Sequence, residues 1–204
     1  MIEEHSFEYE ILEEEDGLVR CVQSFPWRDL ADELDELHFL HGARFVRQLK
    51  LITEYGDFHP VNGETDIFST GGEKGEDYNN LLNAAQKAVE HGYRVYILPN
   101  PKGIRTADFI FERKGVYKMY DLKTISGRAS VDNRLRESIG QTNRILLNMA
   151  CSYNPRLLAL AIRHYFEQNQ DAVEVLIFKG SKTISVIREE TEAYAFIRNF
   201  MMKY

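Results

Sequence analysis

Two short strand-like runs, 106–112 and 116–124, constrain the fold of this chain more than any other feature, because every second residue is apolar at Phe109 and Phe111 and again at Tyr120 and Leu122. Such alternation is the pattern of a β-strand with one buried face. Between the two runs lies Lys114-Gly115, a two-residue connection that is typical of a tight hairpin turn. The sequence therefore predicts an antiparallel hairpin with an apolar face on one side and a polar face on the other.

The register of that hairpin brings two acidic side chains together. If Arg113 pairs with Val116, Asp108 lies directly opposite Asp121, and Lys123 follows two residues later on the same face. Opposed carboxylates repel each other, and a divalent cation held by both would compensate. We therefore expect Asp108 and Asp121 to bind Mg²⁺ or Mn²⁺, and Lys123 to stabilise negative charge on a reacting phosphate. A one-residue change of register would break this alignment.

Helical and strand patterns alternate around the hairpin. Apolar residues recur at helical spacing over 81–92 and 131–141, and short apolar strands are predicted at 93–98 and 144–149. Farther along, the sequence predicts a helix from Asn154-Pro155, a hairpin over 173–187 and a final helix over 189–203. The order helix, three strands, helix, strand indicates an α/β fold with a mixed (α+β) sheet.

Charge is distributed unevenly along the chain. Residues 1–77 contain 20 of the 32 acidic side chains and 6 of the 25 basic ones, which is a balance of −14. Residues 78–204 carry the remaining excess of +7. Asymmetry of this kind is typical of a nucleic-acid-binding part beside an acidic part, although solvated charges at two ends of a protein would give the same pattern.

The acidic part also differs in its predicted structure. A hairpin is predicted over 7–25, two helices within 30–52, and a linker rich in glycine and acidic residues over 57–77. We therefore expect residues 1–70 to form an acidic β-hairpin and helical module with its linker. Residues 71–204 would then form the domain that carries the chemistry.

Targeting and redox features are few. No stretch approaches the roughly 20 apolar residues of a membrane span, and the acidic start of the chain does not resemble a signal peptide. Cys21 and Cys151 fit neither a disulfide framework nor a zinc motif. We expect a cytoplasmic protein that does not bind membranes.

The acidic pair and the lysine resemble a known nuclease motif. Asp108, twelve intervening residues and Asp121-Leu122-Lys123 resemble PD-(D/E)xK, with Ala107 in the place of proline. The stretch 92–149 is similar to toxin nuclease domains at the C-termini of contact-dependent growth inhibition proteins and phage-related proteins. The resemblance implies a restriction-endonuclease-like αβββαβ core, here with an N-terminal α+β extension. It also implies metal-dependent hydrolysis of phosphodiester bonds in RNA, tRNA included, or DNA.

The same resemblance implies further site residues. Gln141 resembles the family's helix glutamine and would join the catalytic set. A phosphate-binding surface would be extended by four arginines: Arg128, Arg134, Arg136 and Arg144. Nucleases of this class often place a glutamate on the first helix, but that position here is Asn83, and Glu76 and Asp77 at the start of the helix are the candidate substitutes.

Two other functions remain open at this stage. Some toxin domains with a similar segment after the motif resemble the barnase/EndoU/colicin/RelE group, which cleaves RNA without a metal. In that case Lys123, Thr142 and Arg144 would carry the chemistry. The other alternative is a non-catalytic binding module on a nuclease-like fold. A nucleic acid is the expected partner, and toxin-like function would add an inhibitor or immunity protein.

Overall fold

The computed structural model describes residues 10–12, 20–22, 28–71, 76–104, 106–127, 131–140 and 142–204, and for residues 10–12, 20–22 and 76 it describes the backbone alone. The strands are β1 (Glu10–Leu12), β2 (Arg20–Val22), β3 (His59–Pro60), β4 (Ile67–Ser69), β5 (Arg94–Ile97), β6 (Phe109–Arg113), β7 (Val116–Ile125), β8 (Arg144–Met149), β9 (Glu174–Lys179) and β10 (Lys182–Ile187). The helices are α1 (Leu30–Glu36), α2 (Gly42–Tyr55), α3 (Glu76–Glu90), α4 (Val131–Glu137), α5 (Pro155–Gln168), α6 (Arg188–Glu192) and α7 (Phe196–Lys203), and a 3₁₀ turn (Leu37–Phe39) follows α1.

Eight of these strands form one mixed sheet in the order β10-β9-β8-β7-β6-β5-β4-β3. The pairs β4–β5, β7–β8 and β8–β9 are parallel, and the other neighbours are antiparallel. From α3 to β8 the elements follow the order helix, three strands, helix, strand. The predicted mixed α/β fold and its αβββαβ order are therefore confirmed. The predicted N-terminal hairpin is present as the β1–β2 pair, with Ile11 opposite Cys21.

The hairpin that links β6 to β7 has the predicted register. Arg113 pairs with Val116, and the pairing continues to Phe109 opposite Tyr120. Lys114 and Gly115 both have positive φ angles, 53° and 77°, as a tight two-residue hairpin turn requires. A short loop with these angles leaves little freedom for slippage, so the turn fixes which residues face each other.

One face of the sheet is covered by α3. Ala84, Ala85 and Ala88 have no exposed surface and pack in a cluster with Phe109 and Phe111 of β6. Their small side chains let the helix approach a sheet that is rich in aromatic residues. Burial of these aromatic rings is a large part of what holds α3 in place, at roughly 25 cal/mol per Å² of apolar surface.

The opposite face is covered by helices from both ends of the chain. Tyr96, Ile110 and Met119 pack against α1 and α2. Ile145 and Leu147 of β8 pack against α4 and α5. Two separate apolar clusters thus lie side by side on this face, and β7 runs from one to the other.

The segment 57–77, predicted to be a linker, differs from that expectation. It contains β3 and β4, and β4 pairs in parallel with β5 through partners such as Ile67 and Val95. These strands have only two and three residues, so they show no periodicity in the sequence. The division of the chain into residues 1–70 and 71–204 stays a prediction.

The single final helix predicted over 189–203 is divided into two helices in the structure. α6 ends at Glu192 and α7 begins at Phe196, with the fully exposed Tyr194 between them. The Arg188 guanidinium at the start of α6 donates to backbone carbonyls at the C-terminal end of α5, among them those of Phe166 and Asn169. In the part of the chain that the structure describes, no helix is long and apolar enough to cross a membrane.

Candidate active site

The candidate site lies where β7 exchanges one neighbouring strand for another. β7 pairs with β6 over residues 116–120 and with β8 over residues 121–125. On the face between the two apolar clusters, β7 presents Asp121 and Lys123 between Met119 and Ile125, which belong to different clusters. The polar residues thus occupy the gap between the two clusters.

Asp108 is held beside this gap by three hydrogen bonds. Its N–H donates to the Tyr120 carbonyl (3.0 Å), and its own carbonyl accepts from the Leu98 N–H (2.9 Å). Its carboxylate accepts from the Leu122 N–H at 2.6 Å, so a side chain takes the place of a strand carbonyl just before β6 begins. The backbone of Asp108 is therefore fixed between β5 and β7, with its carboxylate directed along the edge of β7.

The carboxyl groups of Asp108 and Asp121 interact electrostatically with each other. Burial of the Asp108 carboxyl, and next the charge of Asp121, raise the pKa of Asp108 to about 7, against the lowering effects of the Leu122 N–H and Lys123. The ammonium of Lys123 lies 2.9 Å from Asp121 Oδ2, and the Asp121 side chain is only 4% exposed. Two acids and one cation thus share a small, poorly hydrated volume.

A polar cleft of about 620 Å³ opens over these groups. It is lined by Asp77, Tyr78, Asn80 and Leu81 of α3, Leu98, Asn100, Ala107 and Asp108, Leu122, Lys123 and Thr124 of β7, and Arg134 of α4. Asp77, proposed from the sequence as a substitute for the family's helix glutamate, therefore lies in the cleft. Asn83 does not line it, and its side chain bonds to Asn148 instead.

The predicted phosphate-binding arginines occupy different places. Arg134 lines the cleft, and its half-exposed side chain pairs with Glu137 at 3.2 Å. Arg136 is not part of the cleft lining and pairs with Asp132 at 3.0 Å on the surface of α4. Of these two residues, the structure brings only Arg134 to Asp108 and Lys123.

Arg144 lies on the other face of the sheet. Ile145 is the ladder partner of Asp121, so Arg144, one residue earlier, points to the α3 face. There its Nε lies 3.4 Å from Glu174, a buried carboxylate that also binds Lys118 and the hydroxyls of Tyr120 and Ser185. Arg144 thus belongs to a buried charge network away from the cleft.

The three residues expected to act in a metal-free ribonuclease lie apart in the structure. The Thr142 hydroxyl accepts from the backbone N–H of Arg144 and lines a different pocket, beside His38 of the N-terminal helices. Lys123 lines the cleft with Asp108. Lys123, Thr142 and Arg144 therefore do not converge on a common volume.

Two predicted site residues cannot be placed. Gln141, expected in the catalytic set, and Arg128, expected to bind phosphate, lie outside the described residues. Their roles stay predictions. Within the described part of the chain, no group of three or more His, Cys, Asp or Glu side chains is arranged to hold a metal ion.

The sequence analysis missed a polar cluster next to the cleft. Lys87 Nζ donates to Asn148 Oδ1 at 2.7 Å, and Asn148 Nδ2 donates to Asn83 Oδ1 at 3.1 Å. Asn148 is 1% exposed and is the one amide in the otherwise apolar core of β8. A buried polar residue in such a strand requires partners, and this was the signal that could have indicated the cluster.

Comparisons with known proteins give one similarity. No family model matches the chain, and no curated protein matches it. Among solved structures, the CdiA-CT/CdiI toxin and immunity complex from Burkholderia pseudomallei is similar, with 17% identity and a TM-score of 0.35 over 56% of this chain and 89% of that one. A TM-score this low does not establish a shared fold.

Proposed function

We propose that the chain hydrolyses phosphodiester bonds in nucleic acid with the help of a divalent cation. The observation that carries this proposal is a group of two acids and one cation: Asp108 and Lys123 line a polar cleft, and the buried Asp121 pairs with Lys123 beside them. Two carboxyl groups in contact are unfavourable unless a proton or a cation lies between them. The unfavourable free energy of placing Asp108 beside Asp121 is explained if the two carboxylates bind an ion.

The residues present fit a small, hard cation such as Mg²⁺ or Mn²⁺. Such ions prefer carboxylate oxygens, and Mg²⁺ is usually held by one or two carboxylates together with waters and substrate phosphates. Asp108 and Asp121 supply two carboxylates, and the open cleft leaves room for the other ligands. Asp77 in the first turn of α3 is a further oxygen donor on the cleft wall.

In the proposed reaction, water attacks phosphorus, one P–O bond breaks, and the leaving oxygen takes up a proton. The bound ion would supply Lewis-acid stabilisation of phosphate charge and would make a water more acidic. Lys123, held by Asp121 at the cleft floor, stabilises the negative charge that develops on the phosphate oxygens. Arg134 at the opposite wall binds a phosphate and helps to orient the strand.

The residues that line the cleft also indicate a nucleic acid as the substrate. A cleft lined by Lys123 and Arg134, with asparagine amides beside them, suits a charged backbone with hydrogen-bonding bases. RNA, including tRNA, is the substrate that the nuclease resemblance favours, and DNA is the alternative. An inhibitor or immunity protein as a partner is likewise an expectation of that resemblance.

The test is cleavage of mixed tRNA and of plasmid DNA in Mg²⁺, in Mn²⁺ and in EDTA. We expect cutting only with metal, and a loss of at least about 100-fold in Asp121→Asn and Lys123→Met, since each removes a group that acts on the reacting phosphate. Asp35→Asn and Lys50→Met, which change exposed residues of α1 and α2, serve as matched controls and should cut as the wild type does.

Other outcomes select other functions. Cutting that persists in EDTA and in Asp121→Asn, but is lost in Lys123→Met, would favour a metal-free ribonuclease. If the folded wild type cuts neither polymer under any condition, hydrolysis is excluded and a binding module on a nuclease-like fold becomes the better account.

A further inference from the structure

The cluster of Lys87, Asn148 and Asn83 adjoins the candidate active site from the other side of the sheet. Asn148 is the ladder partner of Thr124, and Thr124 directly follows Lys123 in β7. Neighbouring strands are about 4.8 Å apart, so Asn148 lies one strand spacing from a residue that lines the cleft. Lys87 in turn lies 2.7 Å from Asn148.

Among the described residues, no acid neutralises the charge of Lys87. Its ammonium is partly buried and donates to the Asn148 amide, and across the described ranges no carboxylate forms an ion pair with it. Cations removed from water are normally paired with an anion. An amide can orient the ammonium but cannot balance its charge.

Thr124 supplies a second, independent observation. Its Oγ1 is buried and has no hydrogen-bond partner among the described residues, although Thr124 lies in the cleft wall. Buried hydroxyls are nearly always hydrogen-bonded. An unbalanced cation and an unused hydroxyl donor therefore lie on the same side of β7, and both suit an anionic oxygen.

We propose that Lys87 binds a backbone phosphate of the substrate strand, next to the phosphate held at Asp108, Asp121 and Lys123. This inference rests on the proposed function and adds the path of the polymer. The strand crosses the edge of β7 from the α4 side, where Arg134 lies, to the α3 side. The buried Asn148 accepts from the ammonium and holds it in position, and Asn148 is in turn oriented by its bond to Asn83.

A glutamine at position 87 removes the positive charge of Lys87 and keeps an N–H donor for its hydrogen bond. Lys87→Gln keeps an N–H donor for Asn148, and Lys87→Arg keeps the charge. Lys50→Gln, at an exposed position of α2, is the matched control. Thermal unfolding of each variant shows whether it is folded. Fluorescein-labelled single-stranded RNA and single-stranded DNA oligonucleotides are the probes, with affinity measured in EDTA over a range of salt and cleavage measured in Mg²⁺.

We expect Lys87→Gln to weaken binding about tenfold and to reduce the slope of log affinity against log salt by about 0.7, the value for one phosphate contact on a single strand. In cleavage, KM should rise about tenfold while kcat falls less than about twofold. Lys87→Arg should restore the salt slope, which a purely structural role would not explain. The polymer with the larger effect identifies the substrate.

Two results would overturn the assignment, and they are distinguishable. If the wild type cuts nucleic acid and Lys87→Gln retains its affinity and salt slope, the phosphate contact is wrong and the proposed function stands. If the folded wild type neither binds nor cuts either probe, both proposals fail together.

Discussion

At the scale of single residues, the ionisation of Asp108 controls the state of the site. Its pKa of about 7 means that, without a cation, the carboxyl holds a proton over much of the range below neutrality. Because the folded pKa is raised above the ordinary value, ionisation of this group destabilises the folded protein. The cost is absent at low pH, appears above the unfolded pKa of about 4, and is complete above about pH 7.

The first prediction at this scale concerns stability. Asp108→Asn keeps an oxygen that can accept from the Leu122 N–H but removes the ionisable group. We expect it to raise the free energy of unfolding by on the order of 1 to 2 kcal/mol at about pH 8 and by little at about pH 4. Thermal unfolding at both pH values measures this, with Asp35→Asn as the exposed control. Equal stabilisation at the two pH values would contradict the electrostatic explanation.

A second prediction concerns metal binding at the same residue. A cation competes with the proton on Asp108, so the affinity for Mg²⁺ should rise about tenfold per pH unit below about pH 7 and level off above it. Titration calorimetry at several pH values measures the affinity. In Asp108→Asn the binding should be weak and nearly independent of pH. A wild-type affinity that does not change across this range would show that Asp108 is not a ligand.

At the scale of secondary-structure elements, the turn between β6 and β7 sets the geometry of the site. Lys114 is the one described non-glycine residue with a positive φ, and Gly115 follows it with a second positive φ. A lysine in this conformation is strained, whereas Asn-Gly is the preferred pair for such a turn. The register that places Asp108 against Asp121 therefore depends on a turn that is not optimal.

The prediction for this element uses paired substitutions. Lys114→Asn should stabilise the protein by about 0.5 kcal/mol, and Gly115→Ala should destabilise it by about 1 kcal/mol, since alanine rarely adopts a positive φ. Gly127→Ala is the control, because Gly127 has an ordinary φ and open space around it. Chemical denaturation gives the three values. Equal effects of the two glycine substitutions would rule out turn strain as the cause.

How far the sequence predicted these elements depended on how local their causes are. The register of Asp108 and Asp121 follows from a two-residue turn, so a local signal, the Lys114-Gly115 pair between two strand patterns, was sufficient. The position of Arg144 depends on Glu174, which reaches it only because β9 lies beside β8. No local pattern contains that strand order. The break at Tyr194 was missed for a related reason, since no proline or glycine marks it.

At the scale of the whole molecule, the N-terminal region consists of a strongly acidic segment and a separate segment that packs against the sheet. Residues 1–27 contain 8 acidic and 1 basic side chains, which equals the entire net charge of −7. Residues 28–70 instead supply Leu34, Leu37, Leu49 and Ile52, all buried against the sheet. The acidic segment and the segment that completes the core are therefore separable in principle.

Two truncations test this separation and the predicted division at residue 70. Removal of residues 1–70 takes away these four side chains and the buried Ile67 of β4, which together contribute roughly 8 to 15 kcal/mol. A typical domain has a total stability of about 5 to 15 kcal/mol, so we expect the 71–204 fragment to be largely unfolded by circular dichroism. The 28–204 fragment should keep a cooperative transition, and its neutral net charge should raise nucleic-acid affinity most at low salt. A stably folded 71–204 fragment would show that the first 70 residues are a separate module and that α1 and α2 are dispensable for the sheet.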